Sequence, residues 1–262
     1  MPSPNPPATV PDRLPELQPL VDLLPRRRDR RARAGATTLS RERILHTAIQ
    51  LADAEGPEAI SMRRIAAALG VGTMTLYGYV ADREALLAYM IDEALAEAEI
   101  PDRPSGDWRR DLELLARQFQ AVCRRHTWLP LLLGGSPYLL APRVLPAVEF
   151  CLAALEPFGT DMRRAGAVLK LINSYVVGST VREATEARAA GRRDDSAGYQ
   201  SAVVGYLQQV IASGRYPRFG RLAQIVVEGG DLSPDETFDL GLQCLLDGVG
   251  AQLGKAGNQT PS

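Results

Sequence analysis

The sequence predicts an all-α protein, with a compact three-helix module near the N-terminus and a longer helical region after it. Three observations predict it. Apolar residues recur at three- and four-residue intervals through most of the chain after Ser40. The periodic stretches are punctuated by Ser or Asp at their starts and Gly or Pro at their ends. Strand-like alternation is absent apart from the short Ile-Val-Val run at 225–227. Within the module, residues 61–83 (SMRRIAAALGVGTMTLYGYVADR) read as two short helices joined by a tight glycine turn. That is the helix-turn-helix pattern, whose second helix has the dimensions of a DNA major groove.

Residues 1–38 come first. Eight prolines among the first 25 positions cannot bury enough surface to fold alone, so a mobile arm is expected. Leu14, Leu17, Leu20, Leu23 and Leu24 leave room for a short docked segment. Residues 26–33 (RRRDRRAR) carry six arginines against one aspartate, either as a solvated linker or as an arm lying on DNA.

Ser40 is placed to cap the first helix, which carries Ile44, Leu45, Ala48, Leu51 and Ala52 on one face. Gly56 ends it and Pro57 prevents a restart. His46 reads as a surface residue. Ser61 is an N-cap, Ile65, Ala66 and Leu69 form an apolar face, and Gly70 closes the helix. Thr73 is expected to cap the next helix and Leu76 to anchor it inward. Asp82 then opens a long helix with Leu86, Leu87, Met90, Ile91, Ala94 and Leu95 on one stripe, and Pro101, Pro104 and Gly106 mark a boundary.

Beyond it, Asp107 caps a helix bearing Trp108, Leu112, Leu115, Phe119, Val122, Cys123 and His126. Residues 127–133 form a short apolar piece before a GGSP loop, and Pro142 starts another helix. Asp161 caps the longest one, to about Ala189, followed by the break AAGRRDDSAG. Residues 199–213 are helical, 214–234 loose, and 235–253 helical again.

Residues 40–56, 61–71 and 75–87 (SRERILHTAIQLADAEG, SMRRIAAALGV, TLYGYVADREALL), in this order and spacing, resemble the DNA-binding domain of the tetracycline-repressor (TetR) family from Ser40 to about Leu95. DW at 107–108, HTWLPLLL at 126–133, SYVVGSTVREA at 174–184 and FDLGLQCLLDG at 238–248 resemble the tetracycline-repressor type of C-terminal domain. The resemblance implies four parts: an arm at 1–38, a helix-turn-helix domain with its linker helix at 39–100, a regulatory and dimerisation domain at 101–254, and a tail at 255–262.

It also implies site residues. Arg63 matches a position that reads guanine, where a guanidinium bonds O6 and N7 together. Thr73, Met74 and Thr75 open the recognition helix toward base edges, with methyl-bearing groups suited to thymine methyls. Tyr77 and Tyr79 are expected on phosphates, and Arg83, in place of the family's lysine, at a phosphate near a helix N-terminus. Gly78 and Tyr79 depart from the family pattern, which bears on the operator sequence. An ordinary solvated helix face is the plainer account of the exposed threonines and tyrosine.

The family's effector chamber lies in the C-terminal helices. The candidate lining residues are Phe119, Cys123, His126, Trp128, Phe150, Asn173 and Tyr175, a mix of apolar walls and a few polar groups; plain core packing would use the same residues. Gly178, Gly241 and Gly248 permit close helix approach, within a chain or between chains across the bundle formed by 161–189 and 235–253.

The function implied is a sequence-specific DNA-binding transcription regulator, most simply a homodimeric repressor on a palindromic operator, released by a small-molecule effector. Two other readings stand beside it: a helical small-molecule-binding protein with a non-functional DNA-binding part, and a ligand-independent DNA-binding regulator. An enzyme is not expected, since GxSxG, HExxH and paired CxxC are absent, and GVGAQLGK at 248–255 departs from phosphate-loop spacing. No cofactor and no metal are expected. Cys123, Cys151 and Cys244 lie far apart, which suits small buried groups in a reducing cytoplasm. No apolar run is long enough for a membrane span, the N-terminus lacks a secretory core, and the sequon NQT near the end is discounted.

Overall fold

The computed structural model describes residues 39–133, 141–191, 196–228, 230 and 233–256. Every regular element among them is helical: α1 Arg41–Glu55, α2 Met62–Leu69, α3 Thr73–Leu76, α4 Arg83–Leu95, α5 Trp108–Arg125, α6 Leu129–Leu133, α7 Leu145–Leu155, α8 Met162–Gly191, α9 Ser196–Ala212, α10 Pro217–Val227 and α11 Pro234–Ala256, with 3₁₀ turns at Pro57–Ala59 and Glu156–Phe158. The arm and arginine cluster, the GGSP loop, the middle of the break after α8 and the tail beyond 256 lie outside the described residues. No described helix is long and apolar enough to cross a membrane.

The chain forms two compact units. The first holds residues up to 103 together with 121–151, and the second holds 104–120 and 152 onward. In the first unit the helix starts follow local chemistry. Ser40 accepts from the Arg43 amide at 3.2 Å and Ser61 from the Arg64 amide at 3.3 Å. Asp82 accepts from the Ala85 amide at 2.7 Å, where the helix dipole also favours a carboxylate. Gly56 and Gly70 end α1 and α2 at φ of 86° and 69°, a region that costs other residues dearly. α1 packs on α2 and α4, α2 on α3, and α4 on α6. Ile44, Ile65, Leu76, Leu86 and Met90 fill the interior at 0% exposure.

Asp92 of α4 is buried, and its Oδ1 accepts from the Arg143 amide at 2.9 Å. Burial pushes its carboxyl above the usual carboxylate range, against the opposing pull of that bond and of the Arg143 charge. The turn around Arg143 is therefore held by a side chain from elsewhere in the unit. The helix expected to start at Pro142 begins instead at Leu145.

In the second unit Asp107 caps α5 through the amides of Arg109 and Arg110, and Asp161 caps α8 through the Arg164 amide at 2.9 Å. α11 opens with a reciprocal capping box: Ser233 Oγ accepts from the Glu236 amide at 3.2 Å, and Glu236 accepts from the Ser233 amide at 2.8 Å. α8 packs on α11, with Tyr175 and Phe238 in ring contact at 5.3 Å. α5 is tied to α11 by Arg117 to Asp239 at 2.8 Å and by Arg109 to Gln243 and Asp247 at 2.6 and 2.7 Å.

Between α9 and α11 the expectation of a loose stretch is corrected. Residues 217–227 form α10, paired with α9, and the Ile-Val-Val run is its last turn. Pro217 sits at N1, where a missing N–H costs nothing, and the apolar residues 219, 222, 223, 226 and 227 recur with helical period.

Candidate nucleic-acid interface

α3 is one turn of helix, held by a single inward side chain. Leu76 is fully buried, while Met74 is 80% exposed and Thr75 is exposed beside it. Four residues with one buried anchor cannot persist alone. The turn at 70–72 and the packing of α2 beneath supply the rest, through Val71 N donating to Ala66 O at 3.0 Å. Thr73 is half-buried and is the first helical residue, not the cap. Gly72 occupies the cap position with no side-chain bond, so the expected Thr73 cap is corrected.

The other expected DNA-facing residues surround this turn. Arg63 is exposed on α2, and no hydrogen bond or ion pair to it is found among the described residues. Its neighbour Arg64 is taken by Glu55 of α1. Tyr77 is 45% exposed, Gly78 exposed and Tyr79 half-buried, in the turns that follow α3. The Tyr79 carbonyl accepts from Arg41 Nε at 3.3 Å, and the Arg41 guanidinium lies over the Tyr89 ring at 5.1 Å.

Arg83 is exposed at the start of α4, but its Nε donates to the Ile60 carbonyl at 3.0 Å. Arg63 of α2, Met74 and Thr75 of α3, Tyr77 just after it and Arg83 of α4 are all solvent-exposed. A cation, methyl groups and a phenol in that setting suit base edges and phosphates.

The residues expected to line an effector chamber are placed differently. Phe119, Cys123, His126, Trp128 and Phe150 are buried, and Asn173 and Tyr175 half-buried. His126 and Trp128 come together, ring centroids 5.7 Å apart, and both bond one carboxylate. His126 Nδ1 donates to Asp53 Oδ1 at 2.8 Å and Trp128 Nε1 to the same oxygen at 2.7 Å. Asn173 donates to its own helix at Leu169 O, and Tyr175 donates to Phe238 O at 2.7 Å. Cys151, also buried, has its thiol pushed up to about 12 by burial, which keeps it unreactive.

Two polar side chains escape a reading of the sequence. Asp53 looks like any solvated acid on α1, because its partners lie 73 and 75 residues away. Gln120 is buried on α5, and its Nε2 has no partner among the described residues. Its surroundings on α5, Ala116 and Phe119, read as core.

Comparison with known proteins matches both parts. The description "Bacterial regulatory proteins, tetR family" fits residues 44–90, and "Tetracyclin repressor-like, C-terminal domain" fits residues 100–253. The chain is 39% identical over 224 residues to the HTH-type transcriptional repressor DrrR1 of Streptomyces coeruleorubidus, spanning 84% of this chain and 80% of that protein. Apo ActR from Streptomyces coelicolor shares the fold with a TM-score of 0.70 at 27% identity, over 85% of this chain and 100% of that one. ActR in complex with actinorhodin gives 0.67 at 27% identity, over 83% and 99%. With the helix-turn-helix and the helices after it both matched in order, the chain belongs to the TetR family of bacterial regulatory proteins and is a DNA-binding transcriptional regulator, not an enzyme.

Proposed function

We propose that this regulator is a repressor that occupies a palindromic operator as a homodimer in the bacterial cytoplasm and is released by a small organic effector. The observation that carries the DNA half is the exposure of Met74 and Thr75 on a helix whose only buried side chain is Leu76. Arg63 and Thr73–Thr75 read base edges, while Tyr77, Tyr79 and Arg83 grip phosphates. Residues 39–100 form the reading part and 101–254 the regulatory part. One such helix covers too little DNA for a specific site, so two copies on adjacent half-sites share the task. The chains associate through α8 and α11, where Leu171 and Leu240 stand more than half exposed.

The effector half is supported by ActR, which has been solved with actinorhodin and with (S)-DNPA. Gln120 supports it within this chain. A buried amide N–H left without an acceptor costs roughly 1–3 kcal/mol, and a ligand oxygen would satisfy it. Within the second unit, Phe119, Asn173 and Tyr175 are the residues that would contribute walls to that chamber.

Selection of bound duplexes from a random pool tests the DNA half. A palindrome is expected, and recovery of no sequence preference overturns it. Actinorhodin added to the complex with the selected duplex tests the effector half: release and thermal stabilisation are expected of a ligand that prefers the unbound conformation.

A further inference from the structure

Among the described residues, the first unit contains a polar cluster around Asp53 that the DNA-facing residues do not use. It sits where the last turn of α1, the end of α4 and the corner between α5 and α6 meet. Asp53 contributes a single carboxylate oxygen that accepts from two aromatic N–H groups at 2.8 and 2.7 Å. Both donors are sealed in, His126 at 4% and Trp128 at 0% exposure, whereas Asp53 keeps about a third of its side chain open. On the other side of the imidazole, His126 Nε2 lies 3.3 Å from Glu97 Oε2, just past the end of α4. Arg125 pairs with the same Glu97. Burial pushes the Glu97 carboxyl up, but the bond from Arg125 and the nearby imidazole outweigh it and hold it below the usual carboxylate range.

The corner 125–128 is therefore bonded to the last turn of α1 through Asp53 and, from Arg125, to Glu97 just past the end of α4. Beyond Asp53 the chain is stitched onward. Glu55 holds Arg64 of α2, and the carbonyl of buried Ile60 takes Nε of Arg83 at the start of α4. Among these elements α1 packs on α2 and on α4, and α2 packs on α3. Bonds to a charged acceptor are the strong kind, and they fix angle as well as distance.

We infer that Asp53 is a positioning residue for DNA recognition: its carboxylate, shared by His126 Nδ1 and Trp128 Nε1, fixes the α5–α6 corner to α1 and so sets where α3 stands. This rests on the DNA reading proposed above. Two reading heads must fall on two half-sites at once, so freedom at this joint weakens binding without touching any DNA-facing side chain.

The test uses the full chain and the duplex that the wild-type chain selects from a random pool. Asp53→Asn keeps the shape and one acceptor but loses the charge. It is expected to weaken binding tenfold or more, measured well below its denaturation midpoint, with an unchanged slope of affinity against salt because no phosphate contact is lost. The double variant Asp53→Asn/His126→Gln is expected to bind no more weakly than Asp53→Asn alone, since both break the same joint. Global stability alone would move the midpoint and leave the affinity of folded protein in place. In a Trp108→Phe background, Trp128 emission is expected to shift on Asp53→Asn, reporting loss of the indole bond.

Where Asp53→Asn fails to fold, Trp128→Phe removes one donor and keeps an aromatic ring, and a threefold or greater loss is expected. Affinity within twofold of wild type for the folded variants, or losses that simply add, overturns the inference while leaving the DNA reading intact. Failure of the wild-type chain to select any duplex overturns both.

Discussion

The hydroxyl of Tyr175 occupies the space in front of Gly241. A β-carbon added to that glycine would lie 2.3 Å from the phenolic oxygen and 2.8 Å from two ring carbons. Tyr175 is itself anchored there by donating to Phe238 O at 2.7 Å. The two helices α8 and α11 therefore approach over a position with no side chain.

Gly241→Ala is expected to destabilise the fold even though alanine is the better helix former. The propensity gain is about 1 kcal/mol, whereas overpacking a fixed contact costs ~1–3 kcal/mol and here also displaces the Tyr175 bond. Urea denaturation measures the balance. The double variant Gly241→Ala/Tyr175→Phe should recover part of the loss, and a stabilised Gly241→Ala would show that the ring moves aside freely.

Arg63 is exposed, and no hydrogen bond or ion pair to it is found among the described residues. Arg63→Ala is expected to leave the denaturation midpoint unchanged and to cost ~1–3 kcal/mol of operator affinity, roughly 5- to 150-fold. The loss should fall at one base pair of each half-site, seen as relaxed preference there when selection is repeated. An equal loss on every duplex would assign Arg63 to the backbone instead.

Tyr77 stands outside the reading turn, 45% exposed. Tyr77→Phe removes only a hydroxyl, so it is expected to weaken all duplexes alike, by ~0.5–1.5 kcal/mol, the worth of one hydrogen bond. Met74→Ala, in contrast, should alter the selected sequence. Competition between specific and scrambled duplexes separates the two patterns.

Asp92 carries a pH signature. Its folded-state pKa lies above the unfolded value because burial disfavours the charge. Stability from the neutral form is present below the unfolded pKa and is lost as pH rises through the raised folded one. Asp92→Asn keeps an acceptor for the Arg143 amide and never ionises. Its stability relative to wild type is therefore expected to improve as pH rises from the acid range to neutral and to level off there. Denaturation at a series of pH values checks this, and a constant difference would refute it.

Local chemistry made much of the fold legible. Ser40, Ser61, Asp82, Asp107 and Asp161 cap the helices they precede, because a cap bonds an amide two or three residues away. Leu76 faces inward as its spacing requires. Thr73 misled because Gly72, with no side chain to bond, is the residue that holds the extended backbone before α3. α10 misled because Gly214, Pro217 and Gly220 punctuate a segment whose helical period starts only at Phe219. Asp53 and Asp92 were illegible for a different reason: their partners come from other elements, 51 to 75 residues away, and only folding brings them together.

The brevity of α3 sets a limit on how much address the regulator can spell out. Four residues rise about 6 Å, close to two base-pair steps of ~3.4 Å. Even if each of two copies discriminated three base pairs fully, only roughly 4,000 words could be told apart, against ~10⁶ or more competing positions in a chromosome. The remaining information must be written elsewhere: in the gap between the half-sites, in the stiffness of the bases spanned, and in side chains outside the turn, the role proposed for Arg63.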